Sequence, residues 1–100
     1  MSSVSIEPGD NGFVVAGELN VRTVPGLLAQ AQALFLSNSG DINVDLQKVT
    51  RADSSGIAIL IEWMRTARDN QRQIRFYNVP EQLMAIAKVC DLDQVLPIQK

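Results

Sequence analysis

The sequence predicts a single α/β domain: a mixed, mostly parallel sheet opened by an N-terminal hairpin, with helices packed against it. Three observations carry this. Short alternating or apolar runs at 4–7, 13–16, 42–46 and 73–77 read as strands,. Longer stretches with apolar residues at helical spacing lie between or after them, and strands that alternate with helices favour parallel pairing through crossovers. A dense turn signal, Pro8-Gly9-Asp10-Asn11-Gly12, separates the first two strands and makes them a hairpin,.

In chain order, Val4 to Glu7 alternates, and Phe13-Val14-Val15-Ala16 forms the second strand, closed by Gly17-Glu18-Leu19-Asn20. Thr23 can cap the first helix. Pro25 suits its first turn, and Val24, Leu27, Leu28, Ala31, Leu34 and Phe35 recur on one face until Ser37-Asn38-Ser39-Gly40 ends it,. Ile42, Val44 and Leu46 alternate with Asn43 and Asp45 as the third strand, and Gln47 to Ala52 reads as a polar loop. A long helix follows from Ser54 towards Asn70. After the polar link Asp69 to Arg72, Gln73 to Tyr77 is a further strand. Asn78 can cap a last helix, with Pro80 in its first turn and Leu83, Met84, Ile86, Ala87 and Val89 at helical period,. Leu92 to Pro97 packs a final apolar segment on the sheet.

The stretch that carries function is Asp53-Ser54-Ser55-Gly56, where a loop becomes a helix. At such a terminus the first backbone N–H groups lack intrahelical partners and the macrodipole is positive, which suits a capping oxygen or an added phosphate. Asp53 is the helix-capping residue, a role for which Asp is strongly preferred. Along the helix, Ile57, Leu60, Ile61, Met64 and Ala67 form the stripe expected to face the core. Ser55, Ile59, Glu62 and Thr66 are expected on the opposite face, with Trp63 on its flank. A tryptophan beside an isoleucine next to two helix-start hydroxyls has the composition of a protein-binding hot spot. The expected partner surface is therefore Ser54, Ser55, Ile59, Glu62 and Trp63.

Composition narrows the function. One hundred residues make one domain, over 1–100, and the net charge of −2 argues against a broad nucleic-acid footprint,. With no histidine in the chain, a Ser-His-Asp triad, a Cys-His dyad and histidine-ligated metal sites are excluded,. Cys90 is the single cysteine and is expected as a small buried or half-buried filler,. Arg65, Arg68, Arg72 and Arg75 are spread over a helix end and a strand, the pattern of a solvated surface. No run of about 18 apolar residues offers a transmembrane helix. Met1 to Ser5 lacks a secretory pattern, so the expected location is the cytoplasm. No cofactor and no metal are expected, and no enzymatic activity, because nothing near Asp53 supplies a general base at neutral pH.

The residues resemble a known family. Gly17-Glu18-Leu19-Asn20 after the second strand, Val44-Asp45-Leu46, the later Asp53-Ser54-Ser55-Gly56 and the helical Ile57-Ala58-Ile59-Leu60 together look like a STAS domain, over about Ile6 to Leu96. Two branches of that family differ in what they imply. Likeness to the small STAS subunit of Mla-type phospholipid-transport ABC systems implies a non-catalytic regulatory subunit. It would bind an ABC transporter ATPase held with a permease, with Ser54 at the contact, and would be cytoplasmic and peripheral at the inner membrane through that partner. The approach Val49-Thr50-Arg51-Ala52-Asp53 and the late Val95-Leu96-Pro97 point this way. Likeness to anti-sigma factor antagonists implies phosphorylation by a partner serine kinase at Ser55, and the paired serines Ser54 and Ser55 point that way. Neither branch implies nucleic acid or insertion into the membrane.

Overall fold

The computed structural model describes residues 4–10 and 12–99. Asn11 of the expected turn, and residues 1–3 and 100 of the expected domain and N-terminal segment, lie outside the described residues. Strands β1 (Val4–Gly9) and β2 (Gly12–Leu19) form the hairpin. They are followed by α1 (Val24–Leu36), β3 (Ile42–Ala52), α2 (Ser54–Asp69), β4 (Ile74–Tyr77), α3 (Glu81–Val89) and β5 (Ile98–Gln99). The sheet order is β1-β2-β3-β4-β5. Among the described residues the β1–β2 pair is antiparallel, and β2–β3, β3–β4 and β4–β5 are parallel. The fold class expected from the sequence is the one observed, with a fifth, two-residue strand after the last helix.

Successive parallel strands are added in one direction, so right-handed crossovers bring α1, α2 and α3 onto one face of the sheet. Burial follows that geometry. Ile6, Phe13, Val15, Ile42, Val44, Leu46, Ile74 and Phe76 point into the core, while their neighbours Val14, Ala16, Asn43, Asp45, Arg75 and Tyr77 are only half-buried on the other face,. Between sheet and helices, Phe13 meets Phe35 edge-on at 5.1 Å, and Phe35 meets Trp63 edge-on at 5.8 Å. One aromatic file thus links β2, α1 and α2.

Four local expectations are corrected. The stretch 47–52 is not a loop: β3 runs on to Ala52, paired with β2 through Lys48, Val49, Arg51 and Ala52. Register shifts fall between Val14 and Ala16 and between Gly17 and Glu18, opposite extra residues in β3. Such bulges change the inward spacing from two to three, so Leu46, Val49 and Ala52 hide the strand period. Asn78 does not cap α3. It has φ +56° and donates its side-chain amide to Asp45 Oδ1 at 3.0 Å, while Pro80 stands at the N-cap. Thr23 occupies the N-cap of α1 without a capping bond from its side chain. Cys90 is exposed, because α3 ends there and the chain turns away through Asp91 at φ +58°.

Candidate functional site

The start of α2 is held from three sides. Asp53 has extended backbone at the N-cap, and its Oδ1 accepts the Ser55 N–H at 2.8 Å. Its own N–H donates to the Leu19 carbonyl at 3.1 Å, which ties the helix start to the end of β2. The N–H of Ala52, where β3 has outrun β4, donates to Gln82 Oε1 of α3 at 2.9 Å. Gly56 completes the seat. A Cβ there would lie 2.7 Å from Leu83 Cδ2 and 3.3 Å from Leu19 Cδ1, so the missing side chain lets α2 approach both β2 and α3,.

This seat fixes which side of α2 faces out. Ser54 is exposed and Ser55 half-buried, and Ala58, Glu62 and Arg65 are exposed with Ile61 half-buried between them. Glu62 and Arg65 pair at 3.2 Å across one turn. Ile59 and Trp63, expected on the partner surface, are instead core residues at 0% and 2% exposure. The buried arc is Gly56, Ile57, Ile59, Leu60, Trp63 and Ala67, rotated by roughly 60° from the stripe expected, at about 100° per residue,. The reason is the aromatic file: Trp63 fills the space beside Phe35, and Ile59, one turn earlier, must follow it inward. Of the five expected surface residues, the structure brings Ser54, Ser55 and Glu62 to one accessible side and takes Ile59 and Trp63 away from it. Ala58 is exposed beside them, while Ile61, half-buried and packed against the core as expected, borders that side; a helical wheel centred on Leu60 and Trp63 would have shown this.

The surface of the described residues includes a larger and a smaller concavity. The larger, about 740 Å³, lies on the open sheet face and is lined by residues such as Val14, Asn43, Asp45 and Tyr77. It shares no residue with the start of α2. The smaller, about 290 Å³, adjoins that start and lies at the ends of the paired strands β2 and β3, lined by Glu18, Leu19, Asn20, Arg51, Ala52, Asp53 and Gln82. It holds two carboxylates and one guanidinium. Among the described residues, no His, Cys, Asp and Glu side chains are grouped so as to hold a metal ion. No helix among them is long and apolar enough to cross a membrane.

The arginines do not assemble into a basic stripe. Arg72 donates to the carbonyls of Phe35 and Gly40 and to Asn38 Oδ1. Arg75 pairs with Asp41 at 3.0 Å, and the hydrogen bond and charge of that carboxylate raise its pKa. With Arg65 on Glu62, three of the four are committed to neighbours within the chain.

A hairpin-led, mostly parallel sheet with the Asp53-capped helix start at its exposed corner defines a single α/β domain of mixed-sheet type. A family model described as "Mlab, STAS domain" matches residues 2–98, and the chain belongs to that family of STAS domains. Among curated relatives, the anti-sigma-B factor antagonist of Staphylococcus aureus is 23% identical over 86 residues, covering 86% of this chain and 80% of the relative. That of Listeria monocytogenes is 20% identical over 100 residues, covering 97% and 88%. Solved structures share the fold. A Thermotoga maritima protein assigned as an anti-sigma factor antagonist superposes with a TM-score of 0.77 at 15% identity, covering 97% of this chain and 86% of that one. The unphosphorylated antagonist SpoIIAA gives 0.62 at 18%, covering 92% and 96%.

Proposed function

We propose that the chain is a non-catalytic regulatory protein whose output is the occupancy of one protein partner at the start of α2. The observation that carries this reading is the exposed hydroxyl of Ser54, set at a helix N-terminus that Asp53 already caps and followed outward by Ala58, Ile61 and Glu62. The small residues Ser54 and Ala58 leave room for a partner, and a phosphate added at Ser54 or Ser55 would bring about two negative charges into the contact. A docking protein of this kind shifts its partner only as far as it binds one of the partner's states better than the other.

The relatives' names support an antagonist of an anti-sigma factor; the family resemblance adds that a partner serine kinase would release it by phosphorylating Ser55 or Ser54. Two observations favour a second form. The family model is described by the Mla subunit, and the more accessible hydroxyl is Ser54 rather than Ser55. In that form the partner is the ATPase of an Mla-type phospholipid transporter, assembled with its permease, and the chain sits at the inner membrane through them.

Affinity capture of the tagged chain from its own cells, with mass spectrometry of the partners and of the Asp53–Gly56 peptide, separates the two. A serine kinase homologue together with phosphate on Ser55 supports the antagonist. An ABC ATPase and permease with an unmodified peptide supports the transport subunit. In either case Ser54→Arg is expected to weaken the complex by about 2 kcal/mol or more. Co-purification of that variant at wild-type yield would overturn the docking surface itself.

A further inference from the structure

The face of the sheet turned away from the helices is hollowed. The strand register sets Glu7, Val14, Asp45 and Tyr77 in one row across β1, β2, β3 and β4. Val14, Asp45 and Tyr77 of that row line the concavity of about 740 Å³. Two walls flank this floor. One is the hairpin turn with Gly9, Asp10 and Gly12, which lies so close to β3 that a Cβ on Gly12, at φ +155°, would collide with the Asn43 carbonyl,. The other is Asn78, which stands at φ +56° and donates its side-chain amide to Asp45 Oδ1 at 3.0 Å.

The concavity has the size of a small-molecule site, roughly 300–1,000 Å³. Its lining combines apolar surface, from Val14 and the Tyr77 ring, with the carboxylates of Asp10 and Asp45. Asp45 Oδ1 already accepts the Gln47 N–H at 2.8 Å and the Asn78 amide, whereas its Oδ2 accepts no bond among the described residues. No lysine or arginine among the described residues lines the concavity to neutralise those carboxylates. Arg75, which pairs with Asn43 in the register, has turned its guanidinium to Asp41 at 3.0 Å and to Gln73 at 2.9 Å instead. The lining therefore selects positive charge. A bare metal ion is a poor match, since no His, Cys, Asp and Glu side chains among the described residues are grouped to hold one. An organic cation uses the whole lining: its ammonium meets a carboxylate, and its hydrocarbon part meets Val14 and the Tyr77 ring, whose face also attracts a cation.

We propose that this concavity binds a small aliphatic diamine, with one ammonium on Asp45, the other on Asp10, and the methylene chain lying over Val14 and Tyr77. The concavity shares no residue with the start of α2, so the site stands or falls apart from the docking reading.

The test titrates the isotope-labelled full chain with putrescine at low salt and follows its backbone amides by NMR. Saturable shifts confined to the hairpin turn, the start of β3 and residues 77–78 are expected, and 1,4-butanediol, of the same length without charge, is expected to cause none. Asp45→Asn keeps the Oδ1 acceptor for Gln47 and Asn78, so it should melt as the wild type does while binding putrescine about tenfold more weakly. Asp10→Asn, in the exposed turn, should weaken binding likewise, and Tyr77→Leu by about threefold. Asp69→Asn removes the same charge at the far end of α2 and should bind as wild type. Shifts that do not saturate or that follow acidic residues over the whole surface would overturn the site, as would equal shifts with butanediol or wild-type affinity in both Asp45→Asn and Asp10→Asn. Saturation of the same amides by magnesium at lower concentration than by putrescine would overturn the choice of an organic cation.

Discussion

Asp53 holds the first turn of α2 through one bond, from the Ser55 amide to its Oδ1, and the replacement of that oxygen separates structural from functional roles. Asp53→Ala should cost about 1 kcal/mol of stability by loss of the cap, and Asp53→Asn almost nothing, since asparagine caps as well as aspartate does. Urea unfolding of both variants checks this; equal losses in the two would show that the charge, not the cap, carries the stability. Two residues further along the helix make the opposite contrast. Trp63→Ala removes the end of the Phe13–Phe35–Trp63 file and should cost about 3–5 kcal/mol, whereas Glu62→Ala, on the exposed side, should stay within about 0.5 kcal/mol,. A Trp63→Ala variant that unfolds at the wild-type urea concentration would return that side chain to the surface. The composition of α2 did not reveal this, because tryptophan and isoleucine suit an interface as well as they suit a core. Only the company of Phe35, distant in sequence, decides between them.

Elements show the same division between local and long-range information. The hairpin, α1, α2 and β4 were legible because turn residues and apolar periods belong to the segments themselves. The second half of β3 was not. Its inward residues Leu46, Val49 and Ala52 are three apart, a spacing that bulges produce and that no alternation test accepts,. Nor was the role of Arg72, which reads as one of four scattered arginines. It sits just past α2 and donates to the Phe35 and Gly40 carbonyls and to Asn38, closing the C-terminal end of α1, where the helix has no basic residue in its own last turn. Arg72→Ala should therefore cost about 1.5–3 kcal/mol, the range for hydrogen bonds to a charged group, and Arg72→Lys should recover little, because an ammonium lacks the planar fork. Thermal melts of the pair check it, and full recovery by lysine would mean that charge alone holds the helix end.

At the scale of the whole molecule, stability and the proposed docking lie on opposite sides of α2. The buried side binds the helix to sheet and neighbouring helices through Gly56, Leu60 and Trp63. The outward side, from Ser54 through Ala58 to Glu62, contributes little to the core. A charge placed on the outward side should then act on the two properties in opposite directions. The first turn of α2 contains no acidic residue, so Ser54→Glu adds a negative charge where the helix dipole favours one, for a gain of about 0.3–1 kcal/mol that salt reduces,. The same side chain, standing in for part of a phosphate and larger than serine, enters the proposed partner contact and crowds what seats there. Ser54→Glu is accordingly expected to melt at or slightly above the wild-type temperature while losing partner binding by about tenfold or more. Melting curves at low and high salt, run beside a binding titration with the captured partner, read both quantities from one preparation. If binding fell only in step with a lowered melting temperature, the outward side of α2 would be part of the scaffold. If binding held, the contact would lie elsewhere on the chain.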